Sequence, residues 1–120
     1  MKRRVLVAVE DLLFASKIRG AAESLGVEYD TARSVEAAAA KAKTDPPSVV
    51  VADLHGLRCD PFALAETFKA DAELRAVPLV GFFSHAQTEL RERALAAGFD
   101  QVLPRSAFTQ RLHEILGGGS

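Results

Sequence analysis

Apolar residues along this chain alternate between two spacings, one typical of strands and the other typical of helices. Val5 to Val9 and Ser48 to Ala52 are short runs rich in β-branched residues, and such runs favour strands buried on both faces of a sheet. From Phe14 to Leu25, apolar residues recur at helical spacing until Gly26, a residue type that commonly ends helices. The start of the chain therefore predicts a buried strand followed by an amphipathic helix.

The same two spacings divide the rest of the chain into further strands and helices. The predicted strands after the first cover 27–32, 48–52, 77–83 and 101–103, and the predicted helices after the first cover about 34–42, 61–70, 87–97 and 108–116. Strands that alternate with helices indicate a parallel sheet covered by helices on both faces. We therefore predict a single (βα)₅ domain of the α/β class, with its core at about 4–116 and a flexible tail at 117–120.

Length, composition and charge exclude several classes of protein. The chain has 120 residues, the size of one domain, and its net charge of −1 lacks the basic excess of a nucleic-acid-binding domain. The single cysteine, Cys59, excludes an internal disulfide and a multi-cysteine zinc site. No apolar run is long enough to cross a membrane. The basic start is followed by Glu10 and Asp11 and no export signal, so we expect a cytoplasmic protein.

Polar residues gather where the predicted strands end. Glu10 and Asp11 follow the first strand, Asp53 ends the third, Ser84 follows the fourth and Arg105 follows the fifth. Ligands of open parallel sheets bind at this carboxyl edge. Three carboxylates would repel one another unless a cation or a raised pKa relieved them, and their hard oxygen atoms suit Mg²⁺. The sequence thus predicts an acidic site with a weakly bound Mg²⁺.

The order and spacing of these motifs resemble the receiver domain of two-component response regulators over residues 4–116. The matching segments are Val-Glu-Asp at 9–11, the strand Val-Val-Val-Ala-Asp-Leu at 49–54, and Ala-Gly-Phe-Asp-Gln-Val-Leu-Pro-Arg-Ser at 97–106. The resemblance implies a doubly wound, flavodoxin-like sheet with strand order 2-1-3-4-5, as in the chemotaxis regulator.

The resemblance also implies roles for individual residues. Asp53 would be the phosphoacceptor, and Mg²⁺ would be held by Glu10, Asp11, Asp53 and the main-chain carbonyl of His55. Arg105 stands where receivers have the lysine that contacts the phosphoryl group. Arginine keeps the charge of lysine, but its planar fork replaces a point charge.

Two further departures make the site degenerate. The hydroxyl residue at the end of the fourth strand is replaced by Phe83, and the aromatic residue of the fifth strand by Val102. Ser84 could supply the hydroxyl only if the strand ends or bulges there, because successive strand residues face opposite sides. The pair that links phosphorylation to a surface change in receivers is therefore missing.

The leading functional hypothesis is a stand-alone receiver, because these 120 residues include no output domain. Its partners would be a sensor histidine kinase or phosphotransfer protein and a downstream protein target, with no nucleic acid and no membrane. It would not be an enzyme, beyond self-phosphorylation from a phosphodonor. The alternative is a pseudo-receiver, an interaction module that works without phosphorylation.

Other chemistries fit the sequence less well. An aspartyl phosphatase would carry Asp-x-Asp, whereas Asp53 is followed by Leu54 and His55, and a flavin site would need a phosphate-binding loop after the first strand. A transition-metal site or a base built from His55 and His85 near Cys59 remains open, although ordinary loop histidines are the simpler interpretation because no ligand spacing supports a metal.

Overall fold

Strands and helices alternate through residues 3–84 and 88–118, which are the residues that the computed structural model describes. The five strands form one parallel sheet with the order β2-β1-β3-β4-β5, so the predicted doubly wound fold and its strand order are confirmed. The elements are β1 (Arg4–Ala8), α1 (Leu12–Leu25), β2 (Glu28–Thr31), α2 (Val35–Thr44), β3 (Val49–Asp53), α3 (Pro61–Ala70), β4 (Leu79–Phe83), α4 (Thr88–Ala97), β5 (Gln101–Pro104), α5 (Arg105–Gln110) and α6 (Leu112–Gly117).

Two apolar cores lie on opposite faces of the sheet. Alternate residues of each central strand face opposite sides, so Val50 joins the core beneath α2, α3 and α4, while Val49 and Val51 join the core beneath α1, α5 and α6. Residues 49–52 are all buried, which explains why β3 is apolar without interruption. Burial on both faces leaves the ends of the strands as the place for polar side chains.

Side-chain caps and glycine fix the ends of several helices. Ser34 and Asp60 cap α2 and α3 by accepting hydrogen bonds from main-chain N–H groups of the first turn, at 3.0 Å from Ala37 and 2.9 Å from Phe62. Gly26 ends α1 with a φ of 70°, a left-handed conformation that glycine adopts without strain. The predicted stop at Gly26 is confirmed.

The C-terminal helix differs from the prediction in two respects. A break at Arg111, with φ −100° and ψ 12°, separates α5 from α6. The hydrogen bonds continue through it, since the Arg111 N–H donates to the Ala107 carbonyl and its carbonyl accepts from the Ile115 N–H. Gly117 ends α6 and Gly118 caps it with a φ of 114°, so α6 runs one residue past the predicted end of the helix at 116. Residues 119 and 120 lie outside the described part of the chain.

Candidate functional site

The candidate site lies at the carboxyl edge of the sheet, where β1 and β3 end side by side. Ala8 of β1 is in register with Ala52 of β3, so the acids that follow β1 lie next to the strand that ends in Asp53. Asp53 is half-buried, whereas Glu10 and Asp11 are exposed. The fold therefore brings the three predicted acids to one edge, on neighbouring strands.

Glu10 holds the loop between β3 and α3. Its Oε2 accepts hydrogen bonds from the main-chain N–H groups of Leu57 at 2.7 Å and Arg58 at 2.9 Å. A Cβ on Gly56 would lie 3.2 Å from the same oxygen and 3.1 Å from the Asp53 carbonyl oxygen, so the loop is packed closely against the acid. Sequence analysis missed this anchoring role, because its partners lie 47 and 48 residues away.

Asp11 divides its two carboxylate oxygens between a helix and a cation. Oδ1 accepts from the N–H groups of Leu13 at 3.0 Å and Phe14 at 3.2 Å, which caps α1. Oδ2 accepts from the guanidinium of Arg105 at 3.2 Å. The Phe14 N–H, and after it the Arg105 guanidinium, hold the pKa of the Asp11 carboxyl below its ordinary value.

Arg105 begins α5 and reaches across to α1. Its guanidinium carbon lies 3.9 Å from the centroid of the Phe14 ring, a cation–π contact, while its Nη2 bonds to Asp11. Among the described residues its only ion pair is with Asp11. Arg105 thus lies at the predicted edge, but its guanidinium forms no ion pair with Asp53 in this structure.

Asp53 and the loop after it form a compact turn. The Oδ1 of Asp53 accepts a hydrogen bond from the main-chain N–H of His55 at 2.9 Å, and the Asp53 carbonyl accepts from the N–H of Gly56 at 3.0 Å. These bonds fix the carboxylate at the end of the strand. The position leaves the side chain half-buried and open to the edge of the sheet.

Ser84 meets the geometric condition for supplying a hydroxyl. β4 ends at Phe83, and Ser84 lies in a bend directly after it with its side chain exposed. Phe83 and Val102 are both buried in the core beneath α2, α3 and α4, so both departures from the receiver pattern are core residues. His85, the other residue of interest here, lies outside the described residues.

The acids do not form a ready-made metal cage. In the described ranges 3–84 and 88–118, no three His, Cys, Asp or Glu side chains are grouped closely enough to hold a metal ion. Three of the four carboxylate oxygens of Glu10 and Asp11 already accept hydrogen bonds from protein donors. The donor atoms suit Mg²⁺ in kind, but the Arg105 guanidinium already bonds one of them.

Cys59 is a core residue. It lines a cleft of about 400 Å³ together with Leu12, Arg33 and Arg58, but it is itself only 4% exposed. Burial, and after it the nearby carboxylate of Glu10, raises the pKa of its thiol to about 11. The thiol is therefore protonated at neutral pH, and a transition-metal site that needs its thiolate is disfavoured.

Solved structures of response regulators and of receiver domains resemble this chain. A chain assigned as a response regulator from Chloroflexus aurantiacus superposes with a TM-score of 0.83 at 17% identity, covering 93% of this chain and 92% of its own. This chain has the receiver fold. The chemotaxis response regulator CheY4 of Vibrio cholerae gives a TM-score of 0.80 at 17% identity, covering 93% of both chains.

A third similar structure carries a metal. The receiver domain of a sensor histidine kinase from Pseudomonas aeruginosa, described with a magnesium ion in its active-site cleft, gives a TM-score of 0.80 at 18% identity and covers 98% of this chain and 100% of its own.

No family model and no curated protein sequence matches the chain. No helix in the described part of the chain is long and apolar enough to cross a membrane.

Proposed function

We propose that the chain is a phosphorylatable signalling switch with Asp53 as its phosphoacceptor. The observation that carries the proposal is the half-buried Asp53 carboxylate, held at the end of the central strand β3 beside the acids that follow β1, in a receiver fold. A sensor histidine kinase or a phosphotransfer protein would supply the phosphoryl group, and a downstream protein would recognise the result.

The chemistry is a phosphoryl transfer between two carriers. A carboxylate oxygen of Asp53 forms a bond to phosphorus as the bond to the donor's nitrogen or acyl oxygen breaks, and the donor departs with that electron pair. The product is an acyl phosphate carrying about −1.5 to −2 of charge. In this proposal the exposed Ser84 hydroxyl and the Arg105 guanidinium would contact its oxygens, and Arg105 would give up its bond to Asp11.

The proposal includes a divalent cation, and residues of this chain would supply its ligands. Asp11, Asp53 and the His55 carbonyl would hold Mg²⁺, with Glu10 acting through water because its Oε2 is bonded to the loop. Bound Mg²⁺ would offset the repulsion between the carboxylate and the incoming phosphoryl group. Outside this reaction we expect no enzymatic activity beyond self-phosphorylation from a small phosphodonor.

A pseudo-receiver is the second candidate, and specific observations favour it. Arg105 is paired with Asp11 rather than Asp53, and both Phe83 and Val102 are buried where receivers keep the residues that respond to phosphorylation. In this case the same fold would present a fixed protein-binding surface. Partner binding would then be independent of the state of Asp53.

Intact mass measurement after incubation with acetyl phosphate and Mg²⁺ tests the proposal. The native chain should gain one phosphoryl group, and Asp53→Asn should abolish the gain because the nucleophilic oxygen is lost. Asp45→Asn is the matched control, since Asp45 pairs with Arg4 at the opposite edge of the sheet. A gain that persists in Asp53→Asn would place the acceptor elsewhere, for example at His85.

Beryllofluoride separates the two candidates when no covalent product accumulates. In a switch, beryllofluoride with Mg²⁺ should shift the amide resonances of residues 53–56 in the native chain and not in Asp53→Asn. If the native chain neither gains mass nor responds to beryllofluoride, the pseudo-receiver is the correct description.

A further inference from the structure

The side chain of Arg105 is held at the acidic edge by two different contacts. Its Nη2 lies 3.2 Å from Asp11 Oδ2, and its guanidinium carbon lies 3.9 Å from the centre of the Phe14 ring. The side chain is 35% exposed, so it is partly withdrawn from water. A planar guanidinium can make both contacts at once, which the ammonium of lysine cannot match in geometry.

Both partners of Arg105 are themselves rigidly placed. Asp11 is fixed by the cap bonds of its Oδ1 to the first turn of α1. The Phe14 ring is buried and packs against Phe82 and Phe108, with ring centroids 4.9 Å and 5.8 Å away. The guanidinium therefore rests on a preformed surface, and little ordering of its partners is needed to hold it there.

We propose that the Arg105 guanidinium is the resident cation of this acidic edge, and that a divalent cation reaches the Asp11 carboxylate only by displacing it. The ion pair gives Asp11 its compensating charge without a metal. The native site should then bind Mg²⁺ more weakly than the same carboxylates would bind it without Arg105. The inference deepens the proposed function, because it concerns the metal dependence of the same site, but its test measures metal binding and not phosphorylation.

Mg²⁺ titration of the native chain and of Arg105→Gln is the direct test. Near the protein surface, an ion pair and a cation–π contact are each worth up to about fivefold in an equilibrium constant. We therefore expect Arg105→Gln to bind Mg²⁺ about tenfold more tightly, which corresponds to about 1.4 kcal/mol. Amide shifts of residues 10–12 and 53–56 locate the ion, and calorimetry gives the dissociation constant.

Three further variants separate local displacement from a general effect of charge. Arg111→Gln removes the same charge from a residue paired with Glu114, and at constant ionic strength it should leave Mg²⁺ affinity within about twofold of native. Arg105→Lys keeps the charge but loses the stacked geometry, so its affinity should fall between native and Arg105→Gln. Phe14→Leu removes the ring beneath the guanidinium and should tighten Mg²⁺ binding in the native Arg105 background.

Several results would overturn the proposal. Mg²⁺ affinity in Arg105→Gln equal to or weaker than native would show that Arg105 does not compete with the ion. Undetectable binding in both proteins would show that something other than Arg105 keeps the metal out, and an equal gain in Arg111→Gln would reduce the effect to net charge. These titrations measure Mg²⁺ binding alone, so their results can be interpreted even if Asp53 does not accept a phosphoryl group.

Discussion

Asp11 connects the secondary structure of this chain to the chemistry of its edge. One of its oxygens completes the first turn of α1, and the other pairs with a cation that begins α5. A capping role requires only a short polar side chain, whereas the pair with Arg105 requires a negative charge. The two roles can therefore be separated by substitution.

Urea unfolding of variants at the two aspartate caps separates them. Asp11→Asn should keep the cap and lose the ion pair, while Asp11→Ala should lose both and be the less stable of the two. At Asp60, which caps α3 and lies in none of the ion pairs found among the described residues, Asp60→Asn should change little and Asp60→Ala should cost about 1 kcal/mol.

The decisive quantity is the change in the free energy of unfolding when aspartate is replaced by asparagine at each of the two positions. A greater loss of stability for Asp11→Asn than for Asp60→Asn would show that the pair with Arg105 stabilises the fold. Equal losses would contradict that, and would mean that the contact contributes nothing measurable to stability, as is common for exposed ion pairs.

At this scale, sequence reasoning identified the residues of the edge but not all of their partners. The positions of Glu10, Asp11, Asp53 and Arg105 follow from where strands end. That Arg105 turns to Asp11 follows from the Phe14 ring beneath it, 91 positions earlier in the chain (105 − 14). No local pattern encodes a contact between the start of α1 and the start of α5.

At the scale of elements, the spacing of apolar residues predicted every strand, and most directly β1, β3 and β4, which are buried on both faces. Residues 79–83 of β4 are all buried, and the strand differs from its predicted bounds only in beginning at Leu79 rather than Val77. The break at Arg111 was not predictable, because it interrupts no apolar period. Phe108, Leu112, Ile115 and Leu116 remain buried across it.

Gly81 shows how closely β4 packs against the loops beside its neighbouring strands, after β3 and before β5. A Cβ at this position would lie 2.9 Å from Leu54 Cδ2 and 3.2 Å from Phe99 Cδ1, and both neighbours are buried. Gly81→Ala should therefore destabilise the fold by about 1–3 kcal/mol, the range for overpacked cores. Chemical denaturation monitored by far-ultraviolet circular dichroism measures it.

Gly20 supplies the matched control for that substitution. It lies within α1, and a Cβ added there would have no neighbouring heavy atom within 4 Å outside its own helix backbone, so Gly20→Ala should stabilise the helix by up to about 1 kcal/mol. If Gly81→Ala were as stable as native, Leu54 and Phe99 would have to move apart without cost, which their burial makes difficult.

At the scale of the whole molecule, one sheet couples the two cores. Every strand except the outer two has a neighbour on both sides, and the residues of a single strand such as β3 contribute to both faces. Neither core can lose its packing without exposing the other side of the same strands. Small domains built in this way usually unfold in a single step.

The edge strand β2 is the element for which unfolding in a single step with the rest of the sheet can be tested most strictly. It has only one neighbouring strand, and it carries Tyr29, the single tyrosine of a chain that contains no tryptophan. Tyr29 packs against the core beneath α1, and its hydroxyl donates a hydrogen bond to the Ala15 carbonyl at 3.4 Å. Tyrosine emission therefore reports on the attachment of β2 to α1.

We expect tyrosine emission and far-ultraviolet circular dichroism to give the same urea midpoint, because β2 is held both by β1 and by α1. Tyr29→Phe should remove the emission signal and leave the circular dichroism transition, which verifies the assignment of the probe. An emission midpoint at clearly lower urea would mean that β2 detaches before the rest unfolds. The predicted single domain would then comprise a cooperative unit of four strands with a separately melting edge.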